Sequence, residues 1–291
     1  YARRVAERHD FRPNAAARAL AGQKSLNIAA IMPFESTSSQ MLFYHECLSG
    51  MVTKAGEAGY SILVVMTKDG SRSSLEDLLH NRKADAAILT QLKKDDEHVA
   101  FLKESGFPFV VIGSGAGPDV AQVDSQMQES CAAFALECTR NLHDGDRVLF
   151  VCGSLDVEAN NKRLSGFLSA MESAGISNLR YAVCTDSGDL AKNAGIRSWR
   201  LILCSDDVVC LNVLSLLKQE KVAVGRDVLV ASFHDSVLLE SASPPVSALR
   251  VDARALGSKA VETALLIVGE KEFQTMNYVD CSIQLRASTG Q

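Results

Sequence analysis

Short, predominantly apolar runs, separated by amphipathic stretches, constrain this chain more than any other feature. Leu26–Met32, Ser61–Met66, Ala86–Leu89, Phe109–Ile112, Arg147–Cys152, Leu201–Cys204 and Val228–Phe233 are such runs. A strand that shows no alternation is buried on both faces, as in a parallel sheet covered by helices. Helical segments fall between them, among them Glu46–Gly59, Ser74–Arg82, Gln128–Leu142, Lys162–Ala174 and Val261–Val268. Gly59, Gly175 and Gly269 are their expected stops. The 291 residues exceed what one core comfortably organises. The expectation is therefore an α/β chain of two doubly wound lobes.

Composition closes off other classes. With 47% hydrophobic and 22% charged residues the chain has ordinary globular usage. No apolar run approaches the roughly 18 residues of a membrane span, and no signal peptide is visible. Eight cysteines are scattered without a CxxC pair, several inside apolar runs, which fits reduced core thiols in a cytoplasmic protein. The six histidines show no ligand spacing with cysteines or acids, so no metal and no cofactor is expected. GxSxG, P-loop, HExxH and strand–GxGxxG–helix patterns are all missing, which argues against an enzyme. The glycines of Gly113-Ser114-Gly115-Ala116-Gly117 read as a loop, because Pro118 and Asp119 follow.

The first 25 residues differ in charge from the rest. They hold Arg3, Arg4, Arg8, Arg12, Arg18 and Lys24 against Glu7 and Asp10, while the whole chain carries −5. Such an arm suits phosphate neutralisation, although a solvated helix would carry the same charges. Pro13 breaks the first helical pattern and opens an Ala-rich one, in which Leu20 is the only large apolar residue before Gly22. A lone leucine among arginines fits a wedge inserted between base steps of a minor groove.

FRPNAAARALAGQKS followed by LNIAAIMP resembles the lactose-repressor/galactose-repressor (LacI-type) family of bacterial transcription regulators. Further stretches match that family in order: GMVTKAGEAGYSILV, GFPFVVIGS, VAQVDS, LHDGDRVLFVCG, NNKRLSGFLSAMESAGI and the closing DVLVASFHDS…PPVSALRVDARALGSKAV. The resemblance implies a core like periplasmic binding protein type I, joined by a hinge helix to a helix-turn-helix head. Residues 1–25 are then the head's remnant plus the hinge, with Asn14, Arg18 and Leu20 on DNA. The chain starts at Tyr1, so most of the head is expected to be cut away. Residues 26–123 and 250–276 would form the N-terminal lobe, and 124–249 and 277–291 the C-terminal lobe. The implied partners are operator DNA, a second copy in a homodimer, and a small effector such as a sugar or sugar derivative; no membrane is involved.

Ligands of open α/β sheets sit outside the carboxyl ends of the strands. That rule and the family's landmarks select Phe34, Glu35, Phe43, Tyr44, Asp124, Asn161, Arg163, Asp206, His234 and Asp235 as effector residues. The aromatics could stack on apolar sugar faces or could be core. Arg163 offers a fixed fork of donors for hydroxyls or an anion. Asp206 could bind hydroxyls or cap a helix. His234 stands where the family has an acid, which hints at a different or anionic effector. The stretch 176–199 is shorter than the family's, leaving a helix only at about 190–193. A solute-binding protein of the periplasmic type would share the body; the basic arm and scattered cysteines speak against it.

Overall fold

The computed structural model describes residues 24–33, 40–67, 72–176, 179–184 and 195–290. Asn14, Arg18, Leu20, Phe34, Glu35 and the abbreviated helix at 190–193 lie outside these described residues.

Two parallel sheets carry the fold. The first has strand order β2-β1-β3-β4-β5-β11. Its members are β1 (Asn27–Pro33), β2 (Ser61–Thr67), β3 (Ala86–Leu89), β4 (Phe109–Ile112), β5 (Ala121–Asp124) and β11 (Met276–Tyr278). The second runs β7-β6-β8-β9-β10-β12. It consists of β6 (Arg147–Val151), β7 (Arg180–Cys184), β8 (Leu201–Cys204), β9 (Leu229–Ser232), β10 (Ser247–Val251) and β12 (Cys281–Gln284). Only β12 is antiparallel, to β10. In each sheet the lobe's first strand sits second from the edge, so the winding reverses beside it. That reversal opens a crevice at the carboxyl ends.

The central strands form because every residue of β3, β8 and β9 is buried. Helices α1 (Gln40–Glu57) and α8 (Ala253–Val268) cover one face of the first sheet, and α2 (Ser73–His80) and α3 (Glu97–Ser105) the other. The second sheet lies between α4 (Met127–Cys138) with α5 (Glu158–Ser173), and α6 (Asp207–Gln219) with the short α7 (Val237–Glu240). Carboxylates start three of these helices. Asp96 accepts from the His98 and Val99 amides, Asp206 from Val209, and Asp252 from Ala255. Asp252 also explains why α8 begins well before the expected Val261. Gly59 and Gly175 take the left-handed conformation (φ 75° and 66°), whereas Gly269 does not, and Glu270 turns there instead (φ 51°).

The chain passes between the sheets three times, after β5, after β10 and after β11. These passages fall slightly beyond the expected borders, since β5 runs to Asp124, β10 to Val251 and β11 to Tyr278. Among the described residues no helix is long and apolar enough to cross a membrane. Cys47, Cys131, Cys138, Cys152, Cys204 and Cys210 are buried free thiols, and Cys281 is a partly buried one.

Candidate functional site

One cleft gathers polar side chains from both lobes. From the first lobe come Phe43 and Tyr44 in the opening turns of α1, Gln91 and Leu92 after β3, Ser114 after β4, and Asp124 at the end of β5. From the second come Glu158, Asn160, Lys162 and Arg163 on α5, Asp206 and Asp207 after β8, and His234 after β9. Nearly all are placed by strand ends or helix starts. The cavity between them is about 130 Å³ and opens to solvent.

The aromatic side reaches across the lobes. The Phe43 ring lies 5.6 Å from that of His234, edge to face at 80°, and 5.7 Å from Tyr44. Tyr44 is buried, and burial together with the neighbouring Cys47 thiol raises its phenol well above the ordinary value. Burial and then the Arg163 charge lower the pKa of His234, against the pull of Asp207, Asp206 and Asp235.

Arg163 donates from Nη1 to Asn160 Oδ1 at 3.0 Å, while its buried Nε has no partner. Asn160 is itself anchored, donating to the Ser154 carbonyl at 2.8 Å. Asp124 accepts from the Ser114 hydroxyl and from the Ser125 amide. Asp206 Oδ1 caps α6 and Oδ2 accepts from Ser205 Oγ at 2.8 Å, so it both caps and lines the cleft.

Two expected residues stand elsewhere. Asn161 points its amide at the Leu155 carbonyl, 2.7 Å away, and does not line the cleft. Its neighbour Asn160 takes that place, because residues three apart share a helix face and Arg163 is on the cleft side. Asp235 is also outside the cleft lining. Its carboxylate is buried between Arg286 (Nη1 and Nη2, both 2.8 Å) and Arg250 (Nε, 2.9 Å). Asp207 also lines the cleft; in the sequence the capping signal of Asp206 beside it masks any signal of its own.

The glycine-rich loop is no phosphate cradle. Gln122 Oε1 accepts from the Gly115 and Ala116 amides, and Nε2 donates to the Gly117 carbonyl. A separate recess on the first lobe, near Met32, Thr67 and the start of α3, is bordered by Asp96. That carboxylate is already engaged with three backbone amides. Among the described residues no group of His, Cys, Asp or Glu is arranged to hold a metal.

At the mouth of the cleft the lobes are joined by backbone. Lys93 and Val157 form an isolated antiparallel bridge, with the Lys94 amide donating to Asp156 O (3.1 Å) and the Glu158 amide to Leu92 O (3.0 Å).

Comparison with known proteins agrees with the two-lobed fold. The family described as periplasmic binding proteins and sugar binding domain of LacI family matches residues 25–196. A periplasmic binding protein-like domain matches residues 143–289. The HTH-type transcriptional regulator MalR of Staphylococcus xylosus is 27% identical over 272 residues, covering 89% of this chain and 79% of that protein. The HTH-type transcriptional regulator CelR of Thermobifida fusca is 26% identical over 272 residues, covering 88% and 78%. Among solved structures, a staphylococcal probable maltose operon transcriptional repressor superposes with a TM-score of 0.83 at 21% identity, covering 91% of this chain and 98% of that one. A CelR–cellobiose complex gives a TM-score of 0.78 at 20% identity, covering 96% and 92%. These relatives are regulators, not solute carriers. The chain belongs to the LacI family, as an effector-binding transcription regulator built on the periplasmic-binding-protein fold.

Proposed function

We propose that the interlobe cleft binds a sugar or sugar derivative and that this binding resets the affinity of residues 1–25 for operator DNA. The observation that carries the reading is the convergence of Phe43 and Tyr44 from one lobe with Arg163, Asp206 and His234 from the other on one space. Aromatic faces suit the apolar faces of a pyranose, and a guanidinium with carboxylates suits its hydroxyls. The cellobiose complex of the related CelR supports a sugar as the ligand class. An effector that prefers one lobe arrangement shifts DNA affinity by the same coupling energy. The basic arm with Asn14, Arg18 and Leu20 supports a DNA-facing end, and two such ends in a homodimer would match a two-fold operator. The buried free thiols support action in the cytoplasm, and no catalytic step is assigned.

A thermal-shift screen against neutral sugars, amino sugars, sugar phosphates and sugar acids tests the reading. A ligand at about 100 times its dissociation constant stabilises the fold by about 2.7 kcal/mol. Arg163→Ala is expected to remove that stabilisation while leaving the ligand-free melting point within about 2 °C of wild type. Undiminished binding by the variant would refute the cleft assignment.

The backbone bridge at the mouth makes a second expectation. Glu158 is the first residue of α5 and Val157 before it is extended (φ −84°, ψ 119°), so proline fits there without disturbing the helix. Glu158→Pro deletes the hydrogen bond to Leu92 O. Relative to Glu158→Ala, it is expected to speed effector release about 2- to 10-fold, the effect of one lost hydrogen bond. Stopped-flow dissociation checks this, and equal rates for the two variants would show that the bridge does not hold the lobes.

A further inference from the structure

Among the described residues, three that line the cleft carry a buried polar atom without a hydrogen-bond partner: Asp207 (Oδ2), Arg163 (Nε) and Ser125 (Oγ). Asp207, the first residue of α6, is 1% exposed, and its Oδ2 is buried on the cleft wall without a hydrogen-bond partner. The neighbouring Asp206 uses its two oxygens on Val209 and Ser205, so the two adjacent carboxylates differ in kind. An unpaired buried carboxylate is unfavourable, and the start of a helix relieves this only in part. Across the same space Arg163 Nε is buried and equally unpaired. One acceptor and one donor thus face a common cleft, and a ligand bearing several hydroxyls answers both, since each hydroxyl donates and accepts.

Charge narrows the ligand further. Among the described residues, Asp124, Glu158, Asp206 and Asp207 line the cleft against Lys162 and Arg163. A phosphate or carboxylate brought beside Asp207 would meet a like charge in a poorly solvated wall. We infer that Asp207 reads the charge of the effector: its carboxylate accepts from a hydroxyl or amine of the bound molecule, and it selects sugars without an anionic group against phosphorylated or carboxylated ones. This rests on the cleft being the effector site.

Calorimetric titration of the full chain with glucose, cellobiose, glucosamine, glucose 6-phosphate and glucuronate tests the assignment, in wild type, Asp207→Asn and Arg163→Ala. At least one of the first three is expected to bind, and the two anionic probes to bind at least about tenfold more weakly than glucose. Asp207→Asn is expected to weaken the best neutral or amine probe about 10- to 100-fold, as for a lost bond to a charged group, and to narrow the gap to the anionic probes. Asp207→Ser, which keeps a hydroxyl at the helix start, supplies the same comparison if the asparagine variant melts early. Binding that survives Arg163→Ala would overturn the cleft itself. Binding lost in Arg163→Ala but unchanged in affinity and selectivity in both Asp207 variants would overturn the role of Asp207 alone. Tighter binding of an anionic probe than of glucose, or no binding by any of the first three, would also overturn it.

Discussion

Gly257→Ala is expected to destabilise the protein by at least about 3 kcal/mol, at the upper end of overpacking penalties. A Cβ at Gly257 would stand 2.0 Å from the Cys47 carbonyl oxygen, and one at Gly50 equally close to that of Arg254. Helices α1 and α8 therefore meet backbone to backbone, and Ser258 Oγ donates to Gly50 O at 3.2 Å across the contact. No rotamer change can relieve a collision with a carbonyl. The helices must separate, opening the core formed by Ile28, Ala30, Met51, Ala260 and Val261. Gly56→Ala is the control. It lies in α1, the partner helix of that crossing, with nothing within 4 Å of the added carbon, and is expected to stabilise by about 0.5–1 kcal/mol through helix propensity. Thermal denaturation followed by circular dichroism distinguishes the two. Similar melting points would mean that the crossing yields easily.

Asp235→Ala is expected to cost about 3–5 kcal/mol, the range for breaking a buried ion pair by removing one partner. The Asp235 side chain is 1% exposed and bridges Arg286, 14% exposed, to Arg250, 48% exposed. Its loss strands the largely buried Arg286 guanidinium, with the Val246 carbonyl as its one remaining acceptor among the described residues. The damage should spread to β9, β10 and the C-terminal turn, where Ser288 Oγ donates to Val230 O and the Ser247 amide donates to Ser288. Arg250→Ala, by contrast, should cost about 1 kcal/mol or less, because half of that side chain is in water. Denaturant titration of the two variants gives the ordering, and equal losses would show that Asp235 is not the centre of the network.

β3, β4 and β8 are legible because AAIL, FVVI and LILC have no polar member to confuse the pattern, and β9 because Ser232 stands only at its end. β5 gives no strand signal in the sequence, since Gln122 and Asp124 interrupt AQVD; those same side chains are buried, one fixing the glycine loop and the other lining the cleft. β7 escaped because RYAVC is a half-exposed edge, and β11 and β12 because three or four residues at a sheet edge leave little signal. In the site, residue type pointed to Phe43, Tyr44, Arg163, Asp206 and His234, and the fold brings them to one cleft. It did not separate Asn160 from Asn161, which required the phase of α5. Nor did it show that Asp235 faces two arginines, which arrive from β10 and from beyond β12.

The three passages between sheets have a consequence for the order in which the protein can be completed. The face of the first sheet that α1 begins to cover is finished by Leu256, Ala260, Val261 and Ala264 of α8, which follow the second lobe's first five strands in the chain. At ordinary rates of synthesis that intervening stretch takes on the order of 10 s to appear. During that time the earliest-made core stays open on one side, while a nearly whole second lobe folds beside it. A chain stopped anywhere between Asp124 and Ala253 leaves both sheets without an edge strand, so neither lobe can be obtained simply by shortening the gene from its end. The newest residues seal the oldest core.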